Sequence, residues 1–135
     1  MKKSVLPLLA VLVVLISMPF CKKKKTDSCT TETTLSVTTT PGNGTTEAPA
    51  VGPTFPLTVT INSVMPPSGV TIDVKAHPDG SSTNFFTETK TTSSKDNSFT
   101  ITSTPSTVVC VVEITVTSKT CATNKWTGSY RYSKK

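Results

Sequence analysis

Few side chains in this sequence have the type and spacing that chemistry requires. The one histidine, His77, stands two places before Asp79 with serines close by. A Ser-His-Asp reading would make His77 a general base oriented by Asp79. Yet His77-Pro78-Asp79-Gly80 has proline at the second place and glycine at the fourth, which is turn chemistry. No nucleophile elbow follows it, so His77 reads as a solvated turn residue. Glu88 and Glu113 could be drawn as a glycosidase pair, but such a pair must flank one cleft. Each reads instead as a solvent-facing strand charge. The four cysteines, 21, 29, 110 and 121, form no CxxC pair, and one histidine cannot complete a zinc site. The expectation is a protein with no catalytic residue, no metal and no cofactor.

One constellation points to binding. Trp126, Gly128, Tyr130 and Tyr132 share a parity, so on a single strand they lie on one face. Flat aromatic faces around a glycine gap suit stacking on sugar rings. The competing expectation is that the same rings supply packing in a small core.

These side chains must be positioned by strands. Leu57, Val59 and Ile61 alternate with Thr58, Thr60 and Asn62, and Val70, Ile72, Val74 and Ala76 alternate with Thr71, Asp73, Lys75 and His77. A weaker strand is expected over Asn84 to Thr91, another through Phe99 and Ile101, then Val108 to Val116 and Lys125 to Tyr132. Pro66-Pro67-Ser68-Gly69, His77-Pro78-Asp79-Gly80 and Ser93-Ser94-Lys95-Asp96-Asn97 break the runs. Strands spaced about 8–12 residues apart, with turns between them, predict an all-β, antiparallel sandwich over residues 55–135. By pattern alone this part resembles an immunoglobulin-like or fibronectin-like sandwich. It lacks the immunoglobulin hallmark, since Trp126 follows both Cys110 and Cys121.

Upstream the composition changes. Thr30-Thr31-Glu32-Thr33-Thr34, Thr38-Thr39-Thr40-Pro41-Gly42-Asn43-Gly44-Thr45-Thr46 and Glu47-Ala48-Pro49-Ala50 carry almost no large apolar groups. Such a stretch buries too little surface to offset its ordering entropy. Residues 21–54 therefore read as a flexible stalk of Ser/Thr/Pro type.

The first 20 residues read as an export signal: a basic start at Lys2-Lys3, then an apolar run from Leu8 to Ile16, then Pro19-Phe20 before Cys21. The uncharged run falls short of the roughly 20 residues a spanning helix needs. An apolar segment that ends in a cysteine, with Lys22-Lys23-Lys24-Lys25 directly after it, resembles bacterial envelope lipoproteins. Met18 stands where that family favours a leucine-like residue, and Phe20 where it favours a small one. The resemblance implies lipid attachment at Cys21, with the membrane as a partner through the anchor. It also implies an exported cell-envelope location; Lys22, which is not the aspartate of inner-membrane retention, points to the outer membrane. Further partners would be an envelope protein or a glycan.

The net charge of +6 matches the six lysines 2, 3 and 22–25, and the remaining charges are mixed in sign. That distribution does not suit nucleic-acid binding, which needs a clustered basic face. With Cys21 acylated and Cys29 in a polar tether, Cys110 and Cys121 are the natural disulfide pair in an oxidising compartment; the alternative is two buried thiols. A tight hairpin at Ser118-Lys119 would set Cys110 opposite Thr127, so that bridge also requires Cys121 in a loop that folds back.

Overall fold

The computed structural model describes residues 28–135. The leader and Cys21 lie outside the described residues. After a single 3-10 turn at Ser28–Thr30 come seven strands: β1 (Val37–Thr40), β2 (Phe55–Ile61), β3 (Val70–Pro78), β4 (Phe86–Thr92), β5 (Asp96–Ile101), β6 (Val109–Ser118) and β7 (Lys125–Ser133). They form two antiparallel sheets, ordered β1-β2-β5 and β4-β3-β6-β7. The molecule is a small β-sandwich. In the constant-type immunoglobulin order the fourth strand joins the fifth. Here β4 pairs with β3 instead, giving a division of three strands and four.

The period-two pattern dictates this arrangement. Phe55, Leu57, Val59 and Ile61 of β2 face Val70, Ile72, Val74 and Ala76 of β3 and Val112, Ile114 and Val116 of β6 across one core. Phe99 and Ile101 of β5 complete it. The alternate positions are threonines and charges, which stay at the surface. Val109 and Val111 of β6 are apolar and point outward, and the ladder flanks Val111 with His77 and Arg131. Gly69, with φ of +76°, closes the turn into β3, where an added Cβ would strike the Thr92 carbonyl.

Residues 28–54 differ from the expected stalk. Leu35 and Val37 are buried in the core, and β1 pairs with β2 in register from Val37↔Ile61 to Thr40↔Thr58. After a cis Thr40–Pro41 bond the chain crosses to the other sheet and runs along β7. There Gly44 and Glu47 donate to the carbonyls of Ser129 and Arg131 at 2.7 and 2.8 Å, Arg131 donates back to Thr45 at 2.9 Å, and Ala50 donates to Ser133 at 3.1 Å. These bonds satisfy the backbone edge that β7 would otherwise leave open. The sandwich thus begins upstream of Phe55. Composition pointed to disorder because the segment contributes hydrogen bonds and edge cover, with little apolar mass.

The cysteine pairing also differs. Cys121 bonds to Cys29, with Cα atoms 5.0 Å apart, and Cys110 is a buried free thiol. The reason is register. β6 and β7 are joined by a loop over 119–124, so Cys110 stands opposite Tyr132 while Cys121 sits at the loop tip. Cys110 and Ser118 mark opposite ends of β6, roughly 25 Å apart at about 3.3 Å per residue. The bridge spans a sequence separation of 92 residues. A loop of that order is worth about 4–5 kcal/mol in the chain-entropy model.

Asn124 reinforces the bridge. Its Nδ2 donates to Glu32 Oε2 at 2.9 Å and to the Thr33 carbonyl at 3.0 Å, while its Oδ1 accepts from the Leu35 amide at 2.9 Å. Ser118 Oγ donates to Glu32 Oε1 at 3.0 Å and accepts from the amides of Thr120 and Cys121. The Asn124 bond lowers the Glu32 carboxyl most; desolvation opposes it, and Ser118 and Thr120 add to the lowering.

Two outcomes follow from this clasp. A carboxyl lowered in the folded state stabilises the fold above the unfolded glutamate value of about 4.3 and loses that contribution as pH falls through its folded value. Thermal midpoints of the wild type and Glu32→Gln should therefore differ at neutral pH and converge in acid. Peptide mapping of denatured, unreduced protein should recover Cys29 linked to Cys121 and alkylation at Cys110. A Cys110–Cys121 peptide pair would contradict the register.

Candidate functional site

The aromatic face of β7 points inward. Tyr130 lies opposite Val112 and Tyr132 opposite Cys110, both core positions of β6, so parity sends the rings into the sandwich. Tyr130 is 2% exposed and Tyr132 3% exposed. Tyr132 packs on Phe55 of the other sheet with ring centroids 4.7 Å apart and on Tyr130 at 6.0 Å. Neither tyrosine presents a free face to a planar sugar. Trp126 is partly buried against the same core.

Gly128 explains the tryptophan. A Cβ at this position would fall inside the Trp126 ring's envelope and 2.8 Å from Asn43 Oδ1. The indole thus lies over the bare glycine and fills the gap itself, which covers backbone that an edge glycine leaves exposed. Asn43 Oδ1 accepts from the Ser129 amide at 2.9 Å and fixes the crossing segment beside it.

The hydroxyls of the two tyrosines have different surroundings. Tyr132 Oη and Thr104 Oγ1 share a hydrogen bond of 2.7 Å. Burial pushes the Tyr132 hydroxyl up to about 12, with the Thr104 bond opposing. Tyr130 Oη is buried and has no hydrogen-bond partner. Burial raises it further, and the neighbouring Tyr132 and Glu47 add to the effect.

Tyr130 lines a cavity of about 300 Å³ at the seam between the sheets. Phe55 and Tyr132 line it from the two sheets, and Pro41, Ala48, Ala50 and Glu47 line it from the crossing segment. Its size falls at the lower end of small-ligand pockets, and a largely apolar lining with a few polar groups is their usual composition. The sequence did not disclose this site, because half of its wall belongs to the stretch read as a stalk. The signal available was Glu47 alone, as the carboxylate in Glu47-Ala48-Pro49-Ala50.

The outward face of the four-stranded sheet is polar and already paired. Arg131 Nε donates to Asp79 Oδ2 at 3.1 Å, and Thr89 Oγ1 donates to Asp73 Oδ1 at 2.6 Å. His77 Nδ1 lies 2.9 Å from the Pro78 carbonyl, and its Nε2 lies 3.8 Å from Glu113 Oε1. His77 and Asp79 are thus engaged separately. Glu88 stands opposite inward-facing Val74 and Glu113 opposite outward-facing Lys75, so the two carboxylates occupy opposite faces. Burial raises the Cys110 thiol, which donates to the Val108 carbonyl at 3.7 Å. Among the described residues no group of three or more His, Cys, Asp or Glu is arranged to hold a metal ion. No helix of the described residues is long and apolar enough to cross a membrane.

Comparison of the chain with protein-family models, with curated proteins and with solved structures finds no match in any of the three.

The Trp126–Gly128 contact is testable. Gly128→Ala should displace the indole, shift the emission of this single tryptophan to the red and cost about 1–3 kcal/mol in denaturant unfolding, the usual range for overpacking. Thr127→Ala, on the exposed face of the same strand, should stay within about 0.5 kcal/mol of wild type.

Proposed function

We propose that this chain is an exported, lipid-anchored protein of the cell envelope, held at the outer membrane through Cys21, with a non-catalytic β-sandwich that serves adhesion, structural assembly or partner binding. The leader, the cysteine at its end and the lysine run support the anchor. Each buried methylene of an acyl chain contributes about 0.8 kcal/mol, and two or more chains make attachment stable. Lys22 to Lys25 would meet anionic headgroups, each adding roughly 1 kcal/mol.

The observation that carries the reading is the clamp at Cys29. The Cys29–Cys121 bond and the Asn124 clasp hold the incoming chain against the β6–β7 loop. Cys21 is then about eight residues from a fixed point, a reach of at most roughly 28 Å. A protein attached at Cys21 keeps the β6–β7 and β2–β3 loops near the membrane. The seam cavity, formed where β2 begins and β7 ends, faces away. Such an attachment with a distal recess suits display of a binding surface.

The mature protein from its native host should partition into the detergent phase, and its N-terminal peptide should begin at Cys21 with acyl mass added. Labelled palmitate should enter the wild type and not Cys21→Ser. A bare Cys21 in a detergent-free soluble fraction would refute the anchor.

A further inference from the structure

The seam cavity combines features that suit one kind of ligand. Its walls are apolar: Phe55 and Tyr132 from the two sheets, Pro41, Ala48 and Ala50 from the crossing segment. Three oxygen-bearing groups line it besides backbone and threonine or serine hydroxyls: the Glu47 carboxylate and the phenols of Tyr130 and Tyr132, of which Tyr132 is already bonded to Thr104. Tyr130 is 2% exposed, and its hydroxyl is one of four buried side-chain polar atoms without a partner among the described residues. The residues of the other three, Thr39, Ser63 and Asn97, do not line this cavity. Leaving a buried hydroxyl unbonded is costly, and a ligand that donates to it recovers that cost.

Charge narrows the class. Glu47 accepts from Thr45 Oγ1 at 2.8 Å, a neutral donor that leaves its negative charge in place. No lysine or arginine is among the residues that line the cavity. Arg131, on the neighbouring stretch of β7, is committed to Asp79. A cation entering the mouth would meet a carboxylate and an acceptor phenol oxygen, both of which favour positive charge. A neutral or anionic head would meet only part of that set.

We infer that the seam cavity binds a primary ammonium carried on a compact apolar body, with the apolar part against Phe55, Pro41 and Tyr132 and the ammonium between Glu47 and the Tyr130 hydroxyl. The group belongs either to a free amine or to a lysine side chain of a partner protein. This inference deepens the binding role proposed above and does not depend on the anchor, which is read separately from the N-terminal mass.

The test uses the full exported chain, purified in one detergent throughout so that partition of probes into micelles cancels between variants. The probes are 2-phenylethylamine, charged at neutral pH, 2-phenylethanol and 3-phenylpropionate, followed by protein NMR at Phe55, Ala48 and Ala50. The amine should bind saturably and at least tenfold more tightly than the alcohol, with the carboxylate weakest. Glu47→Gln should bring the amine to within about threefold of the alcohol. Tyr130→Phe should weaken the amine about five- to tenfold, the effect of one lost hydrogen bond. Ala48→Trp, which fills the cavity from the crossing segment without touching the β-core, should abolish binding. Nα-acetyl-lysine methylamide gives the second arm: shifts at the same residues identify a protein lysine as ligand, and their absence alongside amine binding identifies a free amine. No saturable shifts with 2-phenylethylamine, equal affinity for the three phenyl probes, or binding unchanged in Glu47→Gln would each overturn the site.

Discussion

A sandwich of two open sheets has four backbone edges, and covering them is the constraint on which this structure turns. Unpaired edge amides and carbonyls invite pairing with other chains. The N-terminal segment covers a strand in each sheet with one stretch of chain. β1 covers β2 in the three-stranded sheet, and after Pro41 the chain covers β7 in the four-stranded sheet. β1 then forms an edge of its own sheet, and the other two open edges are β4 and β5. β4 reads Phe86-Thr-Glu-Thr-Lys-Thr-Thr92, mostly exposed and with charges at Glu88 and Lys90, which is poor material for apolar edge pairing. The Asn97 side chain donates to the Ser94 carbonyl at 2.9 Å and holds the short turn between them. Because one segment must bridge from sheet to sheet, a gap remains where it crosses, and that gap is the seam cavity.

The same constraint explains what the sequence discloses and what it conceals. Alternation in Leu57-Val59-Ile61, Val70-Ile72-Val74-Ala76 and Phe99-Ile101 encodes burial, and burial made the sandwich legible. The strand over Val37–Thr40 is held mainly by ladder hydrogen bonds and by Leu35 and Val37. Composition carries no record of hydrogen bonding, so a Thr-rich strand and a Thr-rich linker read alike. The cysteines were hidden for a related reason. Their partnership depends on a six-residue loop whose length sets the register of β6 against β7, and loop length is the part of a hairpin that alternation does not specify.

The aromatic strand shows how far parity reaches. Trp126, Gly128, Tyr130 and Tyr132 do share a face, as their spacing requires. Parity alone leaves open which face is inside. That is settled by the partners across the ladder: Trp126 meets Val116, Gly128 meets Ile114, Tyr130 meets Val112 and Tyr132 meets Cys110. Every one of those β6 residues is buried. A neighbouring strand's inward set therefore decides an ambiguous strand, and the same rule would have turned the tyrosines inward had the true hairpin register been in hand.

Polar groups on the two sides of β7 have different fates. On the outward face Arg131 meets Asp79, and Glu113 lies near His77. The exposed Arg131–Asp79 pair contributes little to stability, about 0–1 kcal/mol, but it leaves that part of the face locally balanced. On the inward face Tyr132 is satisfied by Thr104, a residue of the loop between β5 and β6. Tyr130, two residues earlier, reaches the part of the seam lined by the crossing segment, where its hydroxyl finds no hydrogen-bond partner. The difference between the two hydroxyls is thus set by which stretch of chain lies over each. The segment that closes the β7 edge with its backbone also lines the cavity beside Tyr130 with Pro41, Glu47, Ala48 and Ala50, so edge protection and recognition chemistry arise from the same run of residues.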